Sequence, residues 1–160
     1  MFLRIGNGLD VHQLQNGIPL IIGGVSIPNN KGSKGHSDGD VLFHAIVDAL
    51  FGSLALGDLG KHFPSSDNRW KGANSKTFLE YAFKLVKEKG FTINNLDSVV
   101  MLQKPILTPY IQQMRENITR ILSIKIDQVS VKATTTDMLG FIGKGEGIAA
   151  TATVLITNEY

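Results

Sequence analysis

Hydrophobic and polar positions alternate, cluster and recur along the chain with periods that divide it into strands and helices. Residues 2–12 read as a strand, interrupted by Gly6 and Gly8. A glycine inside a strand marks a bulge or a close approach of another backbone. Residues 19–28 read as two short strands about Gly23-Gly24, and residues 29–39 as a polar, glycine-rich, mobile loop. An apolar run then starts at Val41 and ends near Gly52; Leu42, Ile46, Ala49 and Leu50 form its core face, and Asp38 is the predicted N-cap. Asp40, His44 and Asp48 follow at i, i+4, i+8, a stripe along one helix face.

Residues 54–74 form an irregular connection, longer than a compact domain usually tolerates without purpose. A second helix is predicted from Ser75, with Gly90 as its stop in the C′ position. Residues 97–103 read as a buried strand, and Thr108-Pro109 opens a third helix, proline being favoured in the first turn. Residues 129–136 and 148–156 are the remaining strands, separated by a glycine-rich turn over 140–147. Three strand segments before any helix depart from strict βαβ alternation. The fold class expected is α+β: a mixed sheet with helices packed on one face. That leaves the other sheet face uncovered. The last strand, with small residues on both sides, suits packing against another subunit.

Composition narrows the function classes. A chain of 160 residues with 42% hydrophobic and 19% charged residues is expected to be one domain, residues 1–160, with its own core. A net charge of +2 without a Lys/Arg run gives no reason to propose nucleic acid or an anionic membrane. No apolar stretch approaches the ~20 residues that span a bilayer. The strand-like start at Phe2 leaves no room for a leader, so a cytoplasmic location is expected. With no cysteine, any metal must be held by His, Asp and Glu.

Asp10 and His12, two apart on a strand, leave the same face, and His44 on the following helix can join them. Two imidazoles, one carboxylate and an open fourth position is the composition of catalytic zinc. Asp48, one turn beyond His44, is expected to orient an imidazole from behind. The plainer alternative makes Asp10 and His12 local hydrogen-bond partners and His44 a core histidine. A second constellation, residues 132–137 (Lys-Ala-Thr-Thr-Thr-Asp), offers hydroxyls and an acid at a strand end, suited to phosphate oxygens and a hard cation. Its plainer alternative is a β-branched strand entering a turn. Gly143-Lys144-Gly145-Glu146-Gly147 lacks both the Walker A spacing and the dinucleotide fingerprint, and is read as a tight turn.

Taken jointly and in order, several motifs carry a resemblance over residues 4–156. They are Arg4-Ile5-Gly6 through Asp10-Val11-His12, Ile22-Gly23-Gly24-Val25, and His36-Ser37-Asp38-Gly39-Asp40 with His44 beyond. Leu56-Gly57-Asp58-Leu59-Gly60, Lys132 to Thr136, Leu139-Gly140-Phe141 and Gly145-Glu146-Gly147 complete the set. The chain resembles the 2-C-methyl-D-erythritol 2,4-cyclodiphosphate synthases of non-mevalonate isoprenoid biosynthesis.

The resemblance implies a homotrimer whose sheets surround a threefold axis, with active sites between subunits. It implies a phosphorus–oxygen lyase: the 2-phosphate of 4-diphosphocytidyl-2-C-methyl-D-erythritol 2-phosphate attacks the β-phosphorus, releasing CMP and a cyclic diphosphate. Asp10, His12 and His44 match zinc ligands, and Asp137, where the family usually has glutamate, matches the ligand of a second cation, Mg²⁺ or Mn²⁺. Asp58, His36 and Ser37, with Gly60, match contacts to the diol and phosphates. Ala133, Thr134 and Thr135, with the segment holding Leu102, Lys104, Ile106 and Leu107, match the cytidine diphosphate pocket; Thr135 also counts as catalytic, and Phe141 and Lys144 join the substrate-binding set. Ile106 stands where a basic residue is common, and Lys104 is placed to supply that charge. Residues 31–37 are expected to act as a lid. The competing classes are a metal-dependent phosphohydrolase and a non-catalytic isoprenoid-diphosphate binder.

Overall fold

A 15-residue strand, β1 (Phe2–Asn16), opens the chain in the computed structural model, which describes residues 1–158. Strands β2 (Leu20–Ile22) and β3 (Val25–Ile27) form a separate hairpin, and β4 (Lys31–Lys34) returns antiparallel along the end of β1. Helix α1 (Val41–Ser53) follows, then a short α2 (Leu59–His62), a 3-10 turn at Asn68–Trp70 and α3 (Ser75–Glu88). The second half contributes β5 (Thr92–Met101), α4 (Ile111–Leu122), β6 (Val129–Thr134), α5 (Gly140–Gly143) and β7 (Gly147–Asn158). The main sheet has the order β4-β1-β7-β5-β6 and is antiparallel except for the β5/β6 pair. The α+β reading holds, with helices on one face of a mixed sheet.

Gly6 and Gly8 set the spacing of those layers. A Cβ on Gly6 would lie 1.8 Å from the Ala49 carbonyl oxygen, and one on Gly8 would lie 2.0 Å from that of Ala45. The backbones of β1 and α1 therefore touch, the close approach that a strand glycine permits. Helix α1 lies under this contact and is buried almost all round, from Val41 to Phe51, with Asp48 half-buried. It is covered on its other side by Phe78, Leu79, Ala82 and Val86 of α3. On the opposite sheet face, Leu3, Ile5 and Leu9 of β1 remain 60%, 71% and 60% exposed. Exposed apolar side chains gathered on one face are the kind of surface that a protein contact covers.

Four local expectations change. The N-cap of α1 is Asp40, not Asp38: its carboxylate accepts from Phe43 N at 3.0 Å and from Gly23 N and Gly24 N at 2.9 and 2.7 Å. Gly23 and Gly24 both have positive φ, the mirror-image turn of a two-residue hairpin, and it aims both amides at one carboxylate. Asp38 instead serves α3, accepting from Ser75 N at 3.0 Å. The loop predicted over 29–39 contains β4, and its remainder is tied down by Gly72 N to His36 O and Asp38 N to Ala73 O. Strand β5 begins five residues before the predicted 97, because polar Thr92, Asn94 and Asn95 hide its start. The turn over 140–147 holds the short α5.

Candidate metal centre and active-site cleft

Strand alternation sends Asp10 and His12 to the helix-covered face of β1, and the close β1/α1 contact brings His44 to meet them. One Asp10 carboxylate oxygen lies 2.7 Å from His12 Nε2 and 2.9 Å from His44 Nδ1, and the two nitrogens are 3.2 Å apart. Among the described residues this trio is the group of acids and histidines placed to share an ion, with ligand atoms within 4.8 Å of one another. His44 is buried, and Asp10 and His12 are half-buried.

The electrostatics favour positive charge here. Burial raises the Asp10 carboxyl, but hydrogen bonds from His12 and His44, with their charge, outweigh it and hold it well below the usual range. Burial likewise lowers His12, but the Asp10 carboxylate and the Lys34 carbonyl prevail and raise it. A divalent cation would take the place of those protons. The donor set fits one: His12 Nδ1 is 2.9 Å from the Lys34 carbonyl, an acceptor only, so Nδ1 carries the hydrogen and Nε2 faces Asp10 as a ligand. The segment expected to be a mobile lid thus holds His12 through the end of β4.

The i, i+4, i+8 stripe does not act as a unit. Asp40 points to the hairpin and His44 to Asp10, while Asp48 accepts from Leu59 N at 2.6 Å. Burial pushes the Asp48 carboxyl up, against the pull of that amide, with Asp58 and Asp10 adding repulsion. Asp48 therefore anchors α2 rather than orienting an imidazole. The partner that holds His44 is Ser75, whose Oγ is 2.8 Å from His44 Nε2.

A cleft of about 270 Å³ opens over the trio. His36 and Ser37 from the loop after β4, and Gly60 from α2, line it. Sequence reading missed its apolar wall, Phe63, Trp70 and Phe78, with Phe63 edge-to-face with Trp70 and tilted against Phe78 at ring distances of 5.0 and 4.4 Å. Phe78 is legible only as generic core, and Phe63 and Trp70 fall in the segment read as irregular. Asp58 caps α2, accepting from Lys61 N at 2.9 Å, beside Gly60 but not in the cleft lining.

The remaining candidates lie elsewhere on the chain. Leu102 and Leu107 are buried, and Leu102 N bonds to Thr134 O, joining the two segments expected to form a nucleotide pocket. Ile106 is exposed, as are Ala133, Thr134, Asp137 and Phe141; Thr135 is exposed too, its Oγ1 accepting weakly from Asp137 N at 3.4 Å. Lys104 and Lys144 share a separate depression of about 410 Å³ with Gln103 and Met138. Within one chain, none of these lines the cleft of the trio.

Comparison with known proteins fits this geometry. The YgbB family model matches residues 3–157. A 2-C-methyl-D-erythritol 2,4-cyclodiphosphate synthase from Bacillus pumilus is 56% identical over 157 residues, covering 98% of this chain and 99% of the relative. The CDP complex of IspF from Plasmodium falciparum superposes with a TM-score of 0.88 at 36% identity, over 99% of this chain and 97% of that one. The bifunctional IspDF from Campylobacter jejuni gives a TM-score of 0.95 at 42% identity over 99% of this chain, which spans 43% of that longer protein. An arrangement of Asp10, His12 and His44 on touching elements, in a chain matched along nearly its whole length by these proteins, leads to one statement: this chain belongs to the YgbB family of 2-C-methyl-D-erythritol 2,4-cyclodiphosphate synthases.

Proposed function

We propose that the chain, as a single synthase domain over residues 1–160, converts 4-diphosphocytidyl-2-C-methyl-D-erythritol 2-phosphate to 2-C-methyl-D-erythritol 2,4-cyclodiphosphate and CMP. The observation that carries this reading is the convergence of Asp10, His12 and His44 at the floor of a cleft. An oxygen of the 2-phosphate bonds to the β-phosphorus, and the bond from that phosphorus to the CMP oxygen breaks. The nucleophile is already anionic, so no strong general base is required. What the protein must do is align two mutually repelling phosphates and offset the charge that accumulates.

Asp10, His12 and His44 would hold Zn²⁺ and Asp137 a Mg²⁺ or Mn²⁺, each supplying Lewis-acid polarisation of phosphoryl oxygens. His36, Ser37, Asp58 and Gly60 position the diol and its phosphates from the same side. The Phe63–Trp70–Phe78 wall excludes water, which favours ring closure over hydrolysis. Lys104 offers positive charge to the diphosphate, and Leu102, Ile106, Leu107 and residues 133–135 take the cytidine. These residues lie away from the trio on one chain, and the apolar stripe of Leu3, Ile5 and Leu9 remains uncovered. Both features support a homotrimer in which a neighbouring copy completes each site, Phe141 and Lys144 standing at the same boundary. The absence, among the described residues, of a helix long and apolar enough to cross a membrane is compatible with work in the cytoplasm.

The test is incubation of the purified protein with the cytidylyl substrate, Zn²⁺ and Mg²⁺, followed by phosphorus NMR. Cyclic diphosphate and CMP are expected in equal amounts; a linear phosphate product would make the protein a hydrolase instead.

A further inference from the structure

Ser75 and Asp38 lie behind His44, away from the cleft side of the trio. Ser75 is fully buried at the start of α3, and its Oγ approaches three groups: His44 Nε2 at 2.8 Å, Ser37 Oγ at 3.4 Å and a carboxylate oxygen of Asp38 in a very short contact. The other Asp38 oxygen accepts from Ser75 N at 3.0 Å, so serine and aspartate are joined twice. A carboxylate can only accept, so the Ser75 hydroxyl hydrogen lies on Asp38. Ser75 Oγ then has only lone pairs to offer His44, and the ring must place its hydrogen on Nε2. Ser37 Oγ, 3.1 Å from the same nitrogen, could instead donate to it. That arrangement would leave the closer Ser75 oxygen facing a nitrogen lone pair, an uncompensated repulsion in a buried place.

We propose that Asp38 and Ser75 are positioning residues which fix the tautomer and ring orientation of His44, so that its Nδ1 lone pair is always aimed at the ion shared with Asp10 and His12. The relay Asp38–Ser75–His44 does for the helix histidine what the Lys34 carbonyl does for His12. A residue on α3 thus controls a ligand on α1, and the double attachment of Ser75 to Asp38 makes that hold rigid. Partners behind metal-bound histidines typically contribute a factor of about 10–100 in metal affinity. The inference rests on the reading of His44 as a metal ligand.

The test uses the assembled protein with ¹⁵N-labelled histidine and measures zinc affinity by competition with a chelator. In the metal-free wild type, the His44 ring shifts should report hydrogen on Nε2. Ser75→Ala should let a form with hydrogen on Nδ1 and none on Nε2 appear and weaken zinc binding about 10–100-fold, with α3 retained by circular dichroism. Asp38→Asn should weaken zinc less, because an amide oxygen still accepts from Ser75. Finding no hydrogen on Nε2 in the wild type overturns the proposal without any variant, as does a folded Ser75→Ala protein with unchanged hydrogen placement and affinity. Wild type that fails to bind zinc at all would reject the metal reading itself, a separate outcome.

Discussion

Asp10, His12 and His44 meet within one chain, both histidines held from behind, whereas Ile106, Thr135 and Asp137 stand on exposed segments away from them. The first group sits on β1 and α1, whose backbones touch through Gly6 and Gly8. The second sits after β5 and β6, beyond the end of the sheet pairing, where Asp137 adopts φ of +50° in a turn. The difference teaches which half of the site a lone subunit can form. On the proposed reading, the metal-binding half needs no partner, whereas the half assigned to phosphate and nucleotide, facing solvent, does.

The largest effect expected follows from dividing the two halves between proteins. His44→Ala should lower turnover on the order of 10³-fold or more by removing a ligand, while Asp137→Ala should lower turnover yet keep zinc on the trio. Co-assembled, the two variants should regain roughly a quarter of wild-type activity, since in a cyclic trimer that fraction of boundaries joins an intact half from each side. No recovery would mean that each chain builds its site alone.

Next in size is the contact that assembles the metal half. Gly8→Ala would drive a methyl group into the Ala45 carbonyl, and overpacking of this kind costs about 1–3 kcal/mol. Urea unfolding should show that loss, and zinc affinity should fall with it because α1 carries His44. Unchanged stability would mean that β1 and α1 can separate freely, against the account given for the glycines.

The smallest effect belongs to the other half's sheet face. Lys132 Nζ lies 2.7 Å from Asp97. Burial raises the Asp97 carboxyl, but the Lys132 hydrogen bond and charge prevail and lower it. A depressed carboxyl stabilises the fold above its unfolded pKa and loses that contribution as pH falls through the folded value. Lys132→Met should therefore cost less than about 1 kcal/mol near neutral pH, a partly exposed pair being screened, and less still in acid. A loss that grows on acidification would contradict the pairing.

How far the sequence carries these statements depends on the range of the interaction. The alternation that puts Asp10 and His12 on one face, the Gly23-Gly24 turn and the Gly90 stop are local rules, and each appears as read. Asp38 reads as the cap of the nearest helix, but it accepts from the first amide of one that starts 37 residues on, and no periodicity encodes that. Asp48 was given to an imidazole because helical spacing allows it, and was lost to the Leu59 amide because α2 folds back over it. Residues 31–34 looked like a loop, since an edge strand made of Lys-Gly-Ser-Lys shows no hydrophobic alternation; only pairing with β1 defines it. The site's ligands were legible because two neighbouring elements carry them. Its wall and its hydrogen-bond support were not, because those come from α3 and the connection before it.

Diffraction data collected across the zinc absorption edge from crystals grown with zinc test the central claim most directly. The account predicts an anomalous peak about 2.0–2.2 Å from an Asp10 oxygen, His12 Nε2 and His44 Nδ1 together. Zinc bound elsewhere, or three residues with no ion between them at saturating zinc, would contradict it.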